Sequence, residues 1–178
     1  YYDKTHTWSF MEQDGIVKVG IDDFMQHITG TFTRIKMKNP GEFVKKNEHL
    51  LSLVQNGKQL NIYAPFSGKI VDINENLITE PTRINLSPYN DGWVYKISPT
   101  NWLREIQFLQ MVGNYREWLK NEIIRMKDFL TIAVNGKSTE YGVLTFQDGG
   151  ELSDNILKDL GPEVWEDFQK QFIDTSLM

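Results

Sequence analysis

Between Thr7 and Ile97 the chain is cut into short β-like runs by turn residues, at the spacing of about 8 to 12 positions that suits an antiparallel sandwich or barrel. The runs are 16–19, 32–37, 50–54, 60–63, 69–73 and 93–97. Each combines β-branched or aromatic residues with the alternating polarity of a strand that buries one face. Asp14-Gly15, Asn39-Pro40-Gly41, Asn56-Gly57 and Asp91-Gly92 supply the turns. Asn56-Gly57 is the strongest two-residue hairpin signal, because both residues tolerate the positive φ that such a turn demands. One short helix is expected within this region, with Asp22 and Asp23 at its N-terminus, Phe24, Met25 and Ile28 as apolar positions and Gly30 as its stop.

After Pro99 the period becomes helical. Trp102, Ile106, Leu109 and Val112 share one face, and Tyr115, Trp118, Leu119, Ile123 and Met126 belong to a second segment, with Gly113-Asn114 as the break. A β-hairpin is expected from 129–134 and 141–146, joined through Asn135-Gly136-Lys137-Ser138, followed by a loop over 147–150. Ser153 is expected to cap a helix over 154–160, and Gly161-Pro162 to start a last helix carrying Val164, Trp165, Phe168 and Phe172. The fold class expected is therefore mainly β, with an α-rich C-terminal extension containing one β-hairpin. At 178 residues the chain suits a β domain over 1–99 and an extension over 100–178 that packs on it or mediates assembly.

A net charge of −5 and a pI near 5.2 exclude binding driven by phosphate neutralisation, and Arg34, Lys36, Lys38, Lys45 and Lys46 are too dispersed to reverse that. The absence of cysteine removes disulfides, thiolate metal sites and cysteine nucleophiles. The longest apolar stretch, 50–54, is interrupted by Ser52 and is far short of the roughly 20 residues that span a bilayer. No membrane insertion of this segment is expected, and the location expected is cytoplasmic, although the chain opens at Tyr1 and leaves anything upstream unread.

Few side chains suggest chemistry of their own. His6, His27 and His49 lack the spacing of a zinc site and are read as surface or packing residues, so no metal ligands are assigned. Asp22-Asp23 is read as a helix cap rather than an acid–base pair. Gly136-Lys137-Ser138 resembles the end of a phosphate loop, but Thr131 stands at the place of its first glycine and a hairpin turn explains it better. Asp148-Gly149-Gly150-Glu151 lacks the pattern of a calcium loop. Trp102, Tyr115, Trp118, Trp165 and Phe168 recur at helical spacing and are read as core. No catalytic residue is assigned, and the chain is not expected to be an enzyme.

The segment Tyr63-Ala64-Pro65-Phe66-Ser67-Gly68-Lys69-Ile70-Val71 is similar to a motif of the H-protein of the glycine cleavage system. Further similar blocks follow the family's order: His6-Thr7-Trp8, Val19-Gly20-Ile21-Asp22-Asp23-Phe24-Met25-Gln26, Gly41-Glu42-Phe43-Val44-Lys45-Lys46, Asn74-Glu75, and Pro81, Ile84-Asn85, Pro88-Tyr89 and Gly92-Trp93. The resemblance covers about residues 2–99. It implies a barrel-sandwich hybrid of the lipoyl type, in which a protruding hairpin carries a lysine modified with lipoic acid. In the family that arm ferries an aminomethyl group between the decarboxylase, aminomethyltransferase and lipoamide dehydrogenase. The protein supplies presentation and the cofactor reactivity.

At the arm this sequence departs from the family. Members typically read Glu-Ser-Val-Lys-Ala, with the lysine six residues before the tyrosine of the Tyr-Ala-Pro motif; here that position is Gly57, within Val54-Gln55-Asn56-Gly57-Lys58. Lys58 is one residue late, and because successive strand residues point to opposite faces it should project differently from the usual acceptor. The expectation is an H-protein-like binding or scaffold module without lipoylation, and hence without a cofactor, whose protein partners are glycine-cleavage or lipoate-pathway enzymes. Its alternative is an active lipoyl carrier for aminomethyl or acyl transfer that uses Lys58, with Asn56 and Gly57 forming the tip. Assembly into oligomers through the extension also stays open.

Overall fold

The computed structural model describes residues 1–135 and 154–174. Among the described residues, nine strands form two antiparallel sheets. The larger runs β1-β2-β3-β9-β8-β5, from β1 (Tyr2–Asp3), β2 (Thr7–Met11), β3 (Val17–Ile21), β5 (Phe43–Val44), β8 (Gly68–Ile73) and β9 (Trp93–Pro99). The smaller runs β4-β6-β7, from β4 (Arg34–Met37), β6 (His49–Gln55) and β7 (Lys58–Tyr63). This is the barrel-sandwich hybrid that the strand rhythm and the family motifs imply. All six expected runs are strands, while β1, β2 and β5 lie outside them.

The alternation seen in the sequence becomes the core. Val17, Val19 and Ile21 of β3, Leu51 and Leu53 of β6, Leu60 and Ile62 of β7, and Ile97 of β9 are buried between the sheets. A register shift between His49 and Leu51 lets Leu50 and Leu51 both turn inward. Gly20 in β3 lies under the Trp8 indole, where a Cβ would stand 2.4 Å from ring carbons, so only glycine fits. The indole Nε1–H in turn donates to the Pro88 carbonyl at 3.0 Å.

Helix α1 (Asp23–Thr29) starts and stops as expected, with the Asp22 side chain accepting from the Met25 N–H and Gly30 closing it at φ +74°. Two single-turn helices, α2 (Asn76–Thr79) and α3 (Arg83–Leu86), precede β9 and carry no sequence signal beyond buried Leu77 and Ile84.

Helix α4 (Trp102–Glu105) runs into a 3₁₀ turn at Ile106–Phe108, and α5 (Val112–Asn135) then extends for 24 residues. Gly113-Asn114 lies in the first turn of α5, so the break falls just before it. Residues 129–134, expected to be one arm of a hairpin, are helical. A short apolar run of this length suits a strand or a helix equally, but Phe129 and Leu130 continue the buried face begun by Met126 at helical spacing, and that face has a partner. The second expected arm, Gly136-Lys137-Ser138, Asp148-Gly149-Gly150-Glu151 and Ser153 lie outside the described residues.

The chain returns as a 3₁₀ turn at Ile156–Asp159, then α6 (Pro162–Phe168) and a π-type continuation at Gln169–Ile173. Trp165, Phe168 and Phe172 are fully buried. Phe129 of α5 meets Phe168 at 6.3 Å and Phe172 at 5.4 Å between ring centres. Of the aromatic residues whose spacing suggested core, Tyr115, Trp165 and Phe168 are buried, while Trp102 and Trp118 are only partly so. Among the described residues no helix is long and apolar enough to cross a membrane.

Candidate functional site

The arm that the sequence singles out is the β6–β7 hairpin. Gln55 pairs with Lys58, and Asn56 (φ +48°) and Gly57 (φ +85°) form the exposed two-residue loop between them. Two successive positive φ values mark a type I′ turn, whose twist matches that of the strands it joins. Asn56 and Gly57 are thus fully used by the turn itself.

Paired residues share a face, and the pairs Leu51–Ile62, Leu53–Leu60 and Gln55–Lys58 follow one another at a period of two. Lys58 therefore stands on the same face of the arm as the buried leucines. The Gln55 amide donates to the Thr29 and Thr31 carbonyls at 2.7 and 2.9 Å, tying the arm to the end of α1. Lys58 turns toward the extension: its Nζ donates to the Lys158 carbonyl at 2.5 Å and the Leu160 carbonyl at 3.1 Å, and it lies 4.9 Å from the centre of the Trp165 ring. Burial lowers the pKa of this amine, and the nearby Asp159 carboxylate opposes that shift. Lys58 thus lies on the inner face of the arm, and what it meets is the end of a 3₁₀ turn and an indole.

The extension also reaches the edge of β7. The Gln169 side chain accepts from the Asn61 N–H at 2.8 Å and donates to the Asn61 carbonyl at 3.1 Å. One amide side chain therefore completes both main-chain groups of an edge residue, as a neighbouring strand would. Beyond it, the Tyr63 hydroxyl donates to Asp174 at 3.0 Å, and Gln169 donates to the same carboxylate oxygen at 2.6 Å. Neither Gln169 nor Asp174 carried a sequence signal, because pairing across 108 and 111 positions has no local pattern.

A second polar cluster lies inside the molecule. His6, with φ +64°, places its Nδ1 2.9 Å from Asp22 Oδ2, and the Tyr115 hydroxyl of α5 donates to the same oxygen. Asp22 Oδ1 accepts from the Met25 N–H at 2.9 Å. Asp22 is thus the helix cap expected of it and also the joint between the N-terminal loop, α1 and α5. Burial works against its charge, yet His6, Tyr115 and the Met25 N–H together hold its pKa below the usual carboxylate value. Asp23 lies outside this cluster and accepts from the Tyr89 hydroxyl at 2.7 Å. Of the other histidines, His27 faces Asp154 at 3.0 Å in the open and His49 contacts Ser52 at 2.9 Å. Among the described residues no three histidine or carboxylate side chains gather as a metal site would require.

The family model described as glycine cleavage H-protein matches residues 1–122, continuing past Pro99 into the first half of α5. The chain is 36% identical over 121 residues to the probable glycine cleavage system H protein of Pyrococcus abyssi, covering 68% of this chain and 90% of that protein. It is 35% identical over 128 residues to glycine cleavage system H protein 2 of Aquifex aeolicus, covering 68% of this chain and 79% of that one. The crystal structure of a glycine cleavage system H protein from Mycobacterium marinum superposes with a TM-score of 0.52 at 29% identity, over 56% of this chain and 82% of that chain. The resemblance seen in separated motifs thus extends over more than half of the sequence, and this chain belongs to the glycine cleavage H-protein family.

Proposed function

We propose that this chain is a non-catalytic member of its family that acts by binding protein partners, as a scaffold, without a lipoyl group on its arm. The observation that carries this reading is the engagement of the Lys58 amine by two main-chain carbonyls and the Trp165 face. Lipoylation converts the ammonium to an amide with a single N–H, so the charge and the second hydrogen bond would both be lost. The residues present at Lys58 do not fit the group, and Gly57, at the family's lysine position, has no amine to offer.

The absence of a catalytic role is supported by where the polar side chains go. His6, Asp22 and Tyr115, which might otherwise be taken for an acid–base set, are sealed in the core and spent on one another. The partners proposed are enzymes of glycine cleavage or of lipoate handling, on the strength of the family alone.

Intact mass spectrometry of the protein purified from its native host tests the reading. The unmodified mass of the chain is expected. An added mass of one lipoyl group that disappears in Lys58→Ala would overturn it in favour of a carrier using Lys58.

A further inference from the structure

Between α1, α3 and the start of the returning chain lies a cleft of 360 Å³, apart from the arm and from the buried cluster of His6, Asp22 and Tyr115. Its size is at the low end of the roughly 300–1,000 Å³ of small-molecule pockets, which suits one side chain better than a cofactor. Asn155 closes one wall by docking on α1, its N–H donating to the His27 carbonyl at 2.6 Å. Gly30 makes room for this contact, since a Cβ there would stand 2.8 Å from Asn155 Oδ1.

The walls offer acceptors and have used their donors. The Asn85 amide donates to the Gly30 carbonyl at 3.1 Å, which leaves its Oδ1 buried with no hydrogen-bond partner. Gln26, only 6% exposed, is fixed in the same way, its Nε2 donating to the Ile21 carbonyl at 3.3 Å. Because each amide nitrogen is engaged, the other end of each side chain is an acceptor oxygen. Asp23 and Asp154 add two carboxylates, the first held by the Tyr89 hydroxyl at 2.7 Å and the second by His27 Nδ1 at 3.0 Å. Among the described residues no lysine or arginine lines the cleft. A buried oxygen without a partner is costly, so a donor-rich ligand gains most here.

The matching ligand is a cation with several N–H groups. A metal ion fits poorly, because among the described residues no three histidine or carboxylate side chains gather. A planar guanidinium, with five donors spread around its rim, meets acceptors on separate walls, whereas an ammonium has three donors around one point. The carboxylate of a free amino acid would face two like charges, which favours an arginine within a polypeptide.

We infer that this cleft is a recognition site for an arginine side chain of a partner protein. The inference deepens the proposed function, resting on it in taking the partner to be a protein, and makes no use of Lys58.

The test titrates the full, isotope-labelled chain with N-acetyl-arginine amide at constant ionic strength and follows the amide chemical shifts. Saturating shifts are expected at Gln26, His27, Asn85 and Asn155, with half-saturation on the order of 1 mM for so small a probe. Asp154→Asn is expected to raise that concentration about threefold, whereas Asp72→Asn, an equal loss of charge on β8, leaves it unchanged. N-acetyl-lysine amide and free arginine are each expected to bind about threefold more weakly.

Shifts that do not saturate overturn the proposal. So do equal effects of Asp154→Asn and Asp72→Asn, since net charge alone would then draw the probe. Binding of the lysine derivative, free arginine or magnesium as tight as that of the arginine amide overturns it too. Intact mass tests the arm and this titration tests the cleft, so the two readings fail separately.

Discussion

Asp22 is a buried carboxylate whose depressed pKa makes it a stability element with a defined pH window. A carboxyl whose folded pKa lies below its unfolded value stabilises the fold above that unfolded value, here 3.8, and the contribution is lost as pH falls through the folded value. The protein is accordingly expected to lose stability on acidification below about pH 4. Asp22→Asn keeps a capping oxygen but removes the carboxylate to which His6 and Tyr115 both bond, so it should cost about 1.5–3 kcal/mol at neutral pH, the range for a hydrogen bond to a charged group. It should also flatten the acid limb. Urea melts from pH 7 down to the acid range measure both, and an unchanged acid limb would show that other carboxylates set it.

At the scale of the hairpin, Gly57 sits at φ +85° with open space around the position of a Cβ. Gly57→Ala should therefore cost only the conformational strain of a left-handed residue, about 1–2 kcal/mol, with no steric term. A loss much larger than this in chemical denaturation would mean that the tip is packed against something. The tip was legible in the sequence because an Asn-Gly pair between two alternating runs is a local signal. The helix at Phe129 was not, since the short apolar run 129–134 suits a strand or a helix and only the facing side chains of Phe168 and Phe172 settle the period.

Across the whole molecule, Tyr115 is the stitch between the extension and the barrel, reaching from α5 to Asp22 across 93 positions. Tyr115→Phe removes one hydrogen bond to a charged group and should lower stability by about 1.5–3 kcal/mol, read as a shift of the denaturation midpoint. A shift equivalent to less than half of that would show that stacking on Tyr2, at 4.4 Å, carries the joint instead. The β architecture, the α1 caps, the Asn56-Gly57 turn and the family itself were written in local patterns, because strand period, capping and turn chemistry act over a few residues. The sequence also set the expectation that Lys58 is out of step with the family's acceptor position, since a displacement of one residue in a strand reverses the face. Where that face leads was decided only in the tertiary structure. The Lys158 and Leu160 carbonyls, the Trp165 ring and the Gln169 amide come to the arm from a hundred or more positions away, through tertiary packing that no local pattern encodes.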